Sequence, residues 1–160
     1  MIVADTGPII AFARLGRLDL LRDVVGHLTI PTAVYEELVG HGSHRPGAAD
    51  VAASDWIRQR AVTHRTVLAE LPTALHAGER EAIALAHELN AQLLIDEERG
   101  RTSALTRGLS VIGSLRVLAD AKQQGRITAA RPIAEQLRGA GYWIDEDVIR
   151  VFLQEIGESQ

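Results

Sequence analysis

The chain opens on an apolar run, Ile2, Val3 and Ala4, that ends at a carboxylate, Asp5, and passes through Thr6, Gly7 and Pro8 into a stripe of Ile9, Ile10, Phe12 and Leu15. A continuous apolar run marks a strand covered on both faces, and proline suits a first helical turn, so residues 1–15 predict strand, acid, tight turn and helix. The rhythm then repeats. Residues 18–25 keep an apolar helical pattern, 28–30 form a second strand closed by Pro31, and Pro31 and Thr32 open a helix through Leu38 and Val39 to Gly40. Residues 40–47 are loop by composition, 48–53 a short helix, and Trp56-Ile57 with Ala61-Val62 a weaker third strand. From Gly78 to Leu89 the pattern is that of a strong amphipathic helix. A fourth strand over 93–95 ends at Asp96 as the first ended at Asp5. A helix over 97–107 stops at Gly108, and a fifth strand over 109–112 is closed by Gly113. Helices follow over 115–124 and 132–138, then the turn Gly139-Ala140-Gly141. A last helix after Asp145 carries a stripe of Val148, Val151, Phe152 and Ile156. Strands alternating with helices imply a parallel sheet covered on both faces, in one domain over residues 1–160.

Composition narrows the chemistry. With 46% hydrophobic residues and no apolar stretch near the length of a membrane span, the chain reads as soluble, with no membrane partner. Met1 leads straight into the first strand without a basic leader, so neither secretion nor import is expected, and the absence of cysteine fits a cytoplasmic location. It also excludes disulfides, thiolate metal sites and cysteine nucleophiles. The net charge of −4 argues against indiscriminate nucleic-acid binding by the whole surface. Of 17 basic residues 16 are arginine, which suits bidentate phosphate contacts but equally reflects a compositional bias. His41 and His44 have a ligand-like spacing but lie in a loop without a third ligand, and read as solvated.

Four acids stand out. Asp5 and Asp96 each end an apolar strand, the place where ligands bind in open α/β sheets, although an acid there can simply cap the following helix. At about 100° per residue, Glu79 falls on the apolar arc of Ala82, Ile83, Ala86 and Leu89, while Glu81 and Glu88 face the opposite, solvated side. Its alternative role is that of a first-turn acid answering the helix dipole. Glu36 and Glu37 flank the apolar arc of their helix equally, and the wheel does not choose between them. If the two strand ends are neighbours, these carboxylates form an oxygen-rich site for Mg²⁺ or Mn²⁺, an ion able to activate water and stabilise charge on a phosphodiester. Other readings fit less well. Asp5-Thr6-Gly7 is the tripeptide of aspartic proteases, but those are β-rich. A phosphatase would want a second Asp where Gly7 stands. A phosphate-receiver domain would want a lysine about ten residues before Lys122, and no Walker or dinucleotide-binding glycine pattern occurs.

Over nearly its whole length the sequence resembles the PIN-domain family of metal-dependent nucleases. The pieces that carry the likeness are Ile2-Val3-Ala4-Asp5-Thr6-Gly7-Pro8, Pro31-Thr32-Ala33-Val34-Tyr35-Glu36-Glu37-Leu38, Gly78-Glu79-Arg80-Glu81-Ala82 and Leu94-Ile95-Asp96-Glu97. The resemblance implies a three-layer α/β/α domain with strand order 3-2-1-4-5. It selects Glu37 over Glu36, makes Asp5, Glu37, Glu79 and Asp96 the acidic catalytic set, and gives Thr6 the task of orienting Asp5. Asp5, Asp96 and Glu79 would hold the Mg²⁺ or Mn²⁺. Gly78-Glu79-x-Glu81-Ala82-Ile83, Arg99-Gly100-Arg101 and Leu118-Ala119-x-Ala121-Lys122-x-x-Gly125 are most similar to a prokaryotic, toxin-type (VapC-like) subgroup. That likeness implies an endoribonuclease toxin, dimeric and restrained by a small antitoxin, with the helices of residues 129–157 available for those contacts. The alternative is a PIN-like module that binds RNA or protein without cutting. Two departures stand: Leu94 and Ile95 occupy places where many members carry Thr or Ser, and Glu97 and Glu98 compete for a fifth acid. Arg99 and Arg101 are expected either on RNA phosphates or paired with Glu97 or Glu98.

Overall fold

The computed structural model describes residues 1–40, 44–140, 142 and 144–158. Five short strands, β1 (Ile2–Ala4), β2 (Leu28–Ile30), β3 (Ile57–Gln59), β4 (Gln92–Leu94) and β5 (Val111–Ile112), form one sheet of order β3-β2-β1-β4-β5. All pairs are parallel, with Ile2, Val3 and Ala4 opposite Gln92, Leu93 and Leu94. The strand order reverses between β1 and β4, so their carboxyl ends open one crevice.

Apolar residues alternate along these strands between two cores. Ala4, Ile30 and Leu94 join Phe12, Leu38, Leu118 and Leu137 on one face, while Val3, Leu93 and Ile95 join Ile83, Leu85 and Ala104 on the other. The first face is covered by α1 (Thr6–Arg14), α2 (Leu18–Val25), α3 (Thr32–Val39), α4 (Ala48–Ala53), α8 (Ser114–Gln123), α9 (Arg131–Gly139) and α10 (Glu146–Glu155). The second lies under α5 (Arg65–Glu70), α6 (Ala77–Leu89) and α7 (Glu98–Thr106). β1 and β4, at the centre of the sheet, are covered on both faces, which explains the apolar runs that end at Asp5 and Asp96, whereas edge strand β3 exposes Arg58 and Gln59. Among the described residues no helix is long and apolar enough to cross a membrane.

Several expectations are corrected. The third strand is Ile57–Gln59, and Ala61 and Val62 lie beyond it. Helix α5 buries none of its residues, so it leaves no apolar periodicity to read. On α10 the buried stripe is Ile149, Phe152 and Leu153, while Val148 and Val151 are 51% and 44% exposed. Glu81 and Glu88 are not free in solvent. Glu81 accepts from the Ala33 amide at 2.8 Å and so caps the first turn of α3. Glu88 accepts from the amides of Thr63 and His64 and the Thr63 hydroxyl. The His64 amide and the Thr63 hydroxyl, with the Thr63 amide, pull its carboxyl down to about 2. His44 is exposed; His41 and Gly141 lie outside the described residues.

Candidate active site

Asp5 follows β1 directly, its amide donating to the Leu94 carbonyl at 3.0 Å, which ties the end of β1 to the end of β4. It stands at the N-cap position of α1 with extended backbone, yet its side chain makes no capping hydrogen bond. The capping alternative is thereby excluded, and the carboxylate, 7% exposed, points into the crevice. Burial pushes Asp5 up to about 7. The Thr6 amide opposes this, and the charges of Glu79, Glu37 and Asp96 add to it. All three carboxylates are thus close enough to act on Asp5.

Glu37 projects from the last turn of α3. Its Oε2 accepts from the Thr6 hydroxyl at 2.6 Å and its Oε1 from the Gly78 amide at 3.1 Å. The Thr6 hydroxyl therefore engages Glu37, while the Thr6 amide is the group that acts on Asp5. The approach is close: a Cβ at position 78 would lie 2.6 Å from Glu37 Oε1, so only glycine leaves this carboxylate where it is. Glu36 is exposed on the other flank of the helix.

Glu79, also 7% exposed, answers to both readings of its position. It is buried, as its place on the apolar arc implies, and its Oε2 accepts from the His76 amide at 3.0 Å, closing a capping box at the start of α6. Burial, opposed by the His76 amide, and the nearby charges of Glu97 and Glu37 leave its carboxyl above the usual range. Glu97, rather than Glu98, is thus the acid that reaches the site electrostatically. It caps α7 through the Gly100 amide at 2.8 Å.

Asp96 does not cap the helix that follows it. Its Oδ1 accepts from the Ser114 amide at 2.8 Å and its Oδ2 from the Ser114 hydroxyl at 2.5 Å and from the Tyr142 hydroxyl. The anion thereby sits at the positive, amino-terminal end of α8. Glycine at 113 is required here as well, since a Cβ would lie 2.7 Å from Asp96 Oδ1 and 3.0 Å from an Arg101 guanidinium nitrogen. Ser114, just past the end of the neighbouring strand, gives Asp96 a hydroxyl donor. Ser114 and Tyr142 escaped the sequence reading. The sequence does show Gly113-Ser114 as one more strand end running into a helix, but nothing local marks Tyr142.

Arg101 donates to the Ile95 carbonyl at 2.9 Å, and Arg99 is exposed. Among the described residues neither is ion-paired with Glu97 or Glu98, and none of the four acids is ion-paired with lysine or arginine. The donor set is all oxygen and acidic, without an ion pair to lysine or arginine among the described residues, which fits a hard divalent cation. Among the described residues no three acids or histidines are arranged to hold an ion unaided. Such a set suits Mg²⁺, which commonly takes one or two carboxylates and completes its octahedron with water and substrate oxygen.

An all-parallel α/β domain with an acidic crevice at its topological switch point is the class these features define. The chain belongs to the PIN-domain family: the family model DUF3368, a PIN domain, matches residues 1–158. PIN domains are generally nucleases and generally use divalent metal ions. Among solved structures the chain is similar to a PilT N-terminus domain protein, SSO1118, from the hyperthermophilic archaeon Sulfolobus solfataricus P2. The TM-score is 0.57 at 21% sequence identity, over 76% of this chain and 93% of that one. At that identity the likeness speaks for the fold alone. No curated protein sequence matches this chain.

Proposed function

We propose that the protein is a Mg²⁺- or Mn²⁺-dependent endoribonuclease. The observation that carries this reading is the gathering of Asp5, Glu37, Glu79 and Asp96 around one crevice with no basic side chain paired to any of them. Asp5, Asp96 and Glu79 would hold the ion, and Glu37 would complete the acidic set. The ion supplies Lewis acidity and charge neutralisation to the phosphodiester. Arg99, exposed on the first turn of α7, and Arg101 beside Asp96 are suited to hold flanking phosphates. The same reading makes this the toxin of a toxin–antitoxin pair in the cytoplasm, with a small antitoxin and a second copy as its protein partners. Exposed Val148 and Val151 on α10 support such contacts.

The test is to incubate purified protein with structured and single-stranded RNA, with Mg²⁺, Mn²⁺ or a chelator, beside Asp5→Asn and Asp96→Asn. Cleavage that needs metal and is lost in both variants is expected, and cleavage untouched by both excludes this site. The rival reading, a PIN-like module that binds without cutting, is favoured by the absence of an unaided three-ligand cage among the described residues. RNA retained but intact under every metal condition would select it.

A further inference from the structure

Asp96 is the most fully engaged of the four acids, and its third donor comes from an unexpected quarter. Tyr142 lies between α9 and α10, forty-six residues beyond Asp96, and its hydroxyl donates to Asp96 Oδ2. The Tyr142 amide donates to the Leu137 carbonyl at 3.1 Å, and a Cβ at Gly7 would meet the ring hydroxyl at 3.5 Å and a ring carbon at 3.9 Å. The phenol therefore spans the crevice from the start of α1, two residues after Asp5, to Asp96.

We infer that Tyr142 is a positioning residue: together with Ser114 it holds Asp96 Oδ2 and so sets the orientation of a carboxylate that would bind the cation. Oδ2 takes two hydroxyl donors, from Ser114 and Tyr142, whereas Oδ1 takes only the Ser114 amide. Three donors on one carboxylate leave it little freedom to turn. Partners of this kind, which hold a ligand without touching the ion, typically set metal affinity by about 10–100-fold. Tyr142 thus belongs to the site.

This inference rests on the proposed metal site, and calorimetric titration of the metal-free full chain with Mn²⁺ separates the two. Tyr142→Phe, which removes one oxygen, is expected to weaken Mn²⁺ binding about tenfold. Its melting temperature in chelator should stay close to that of the parent. In the Asp96→Asn background the same substitution should add nothing, because Tyr142 acts through Asp96. Ser114→Ala, which removes the other hydroxyl on Oδ2, should weaken binding similarly. Unchanged Mn²⁺ affinity in Tyr142→Phe overturns the inference alone. Tighter binding also overturns it, and would make the hydroxyl a competitor of the ion. Parent protein that binds no Mn²⁺ overturns both the inference and the metal-dependent reading beneath it.

Discussion

Thr6 and Glu37, thirty-one residues apart, are joined by a 2.6 Å hydrogen bond from the threonine hydroxyl to the glutamate carboxylate. The bond links the first turn of α1, beside Asp5, to the last turn of α3, and so fixes one acid's distance from another across the crevice. Thr6→Val removes the donor and keeps the shape. It should cost about 1 kcal/mol of stability. Activity should fall about tenfold or more, read by thermal melting beside RNA cleavage.

Gly78 provides a contrast between stability and activity. In an ordinary helix Gly→Ala stabilises by about 1 kcal/mol. Here the new Cβ would lie 2.6 Å from Glu37 Oε1, the mobile end of a long side chain. Gly78→Ala should therefore melt at or above the parent temperature while losing at least about 90% of activity, because Glu37 is the group that yields. An unchanged rate would show that Glu37 has no part in the reaction.

Asp5 makes the metal-free fold sensitive to pH in a stated direction. Its carboxyl rises from 3.8 when unfolded to about 7 in the fold, so between these values the folded state binds the extra proton. Its contribution is fully present below pH 3.8 and is lost as pH rises through about 7. In chelator at pH 8, Asp5→Asn should be the more stable protein, by a few kcal/mol at most on the scale of ~1.4 kcal/mol per unit. The advantage should shrink as the pH falls towards 4.

Glu158 behaves in the opposite sense. Burial would raise its carboxyl, but the amides of Ala130 and Arg131 and the Lys122 ammonium outweigh it and hold it below the usual 4.5. The clamp fastens residue 158 to the start of α9, the helix that leads to Tyr142. Its stabilisation is present above 4.5 and is lost as pH falls through the depressed folded value. Glu158→Ala should cost about 1–3 kcal/mol at pH 7 and progressively less in acid, by denaturant titration.

The sheet was legible because β1 and β4 are buried on both faces and each apolar run stops at an acid. Glu79 was legible from helical phase alone, since its own helix buries it. Glu37 was not, because Glu36 and Glu37 flank their stripe alike. What distinguishes them is contact with Thr6 and Gly78, on other helices. Glu81 looked solvated for the same reason: its partner, the Ala33 amide, lies forty-eight residues away. Ser114 and Tyr142 meet Asp96 only through the sheet order and the return of the chain after α9, and no local periodicity encodes either meeting. Side chains that act within one element can be read from a sequence; those that act between elements wait for the fold.

The central claim is that the strand-end acids share one cation, and anomalous scattering from a crystal soaked in Mn²⁺ tests it most directly. A peak in the crevice between β1 and β4, beside Asp5 and Asp96, is the predicted result. A soaked crystal with no peak in that crevice, or with manganese bound only elsewhere on the surface, would contradict it.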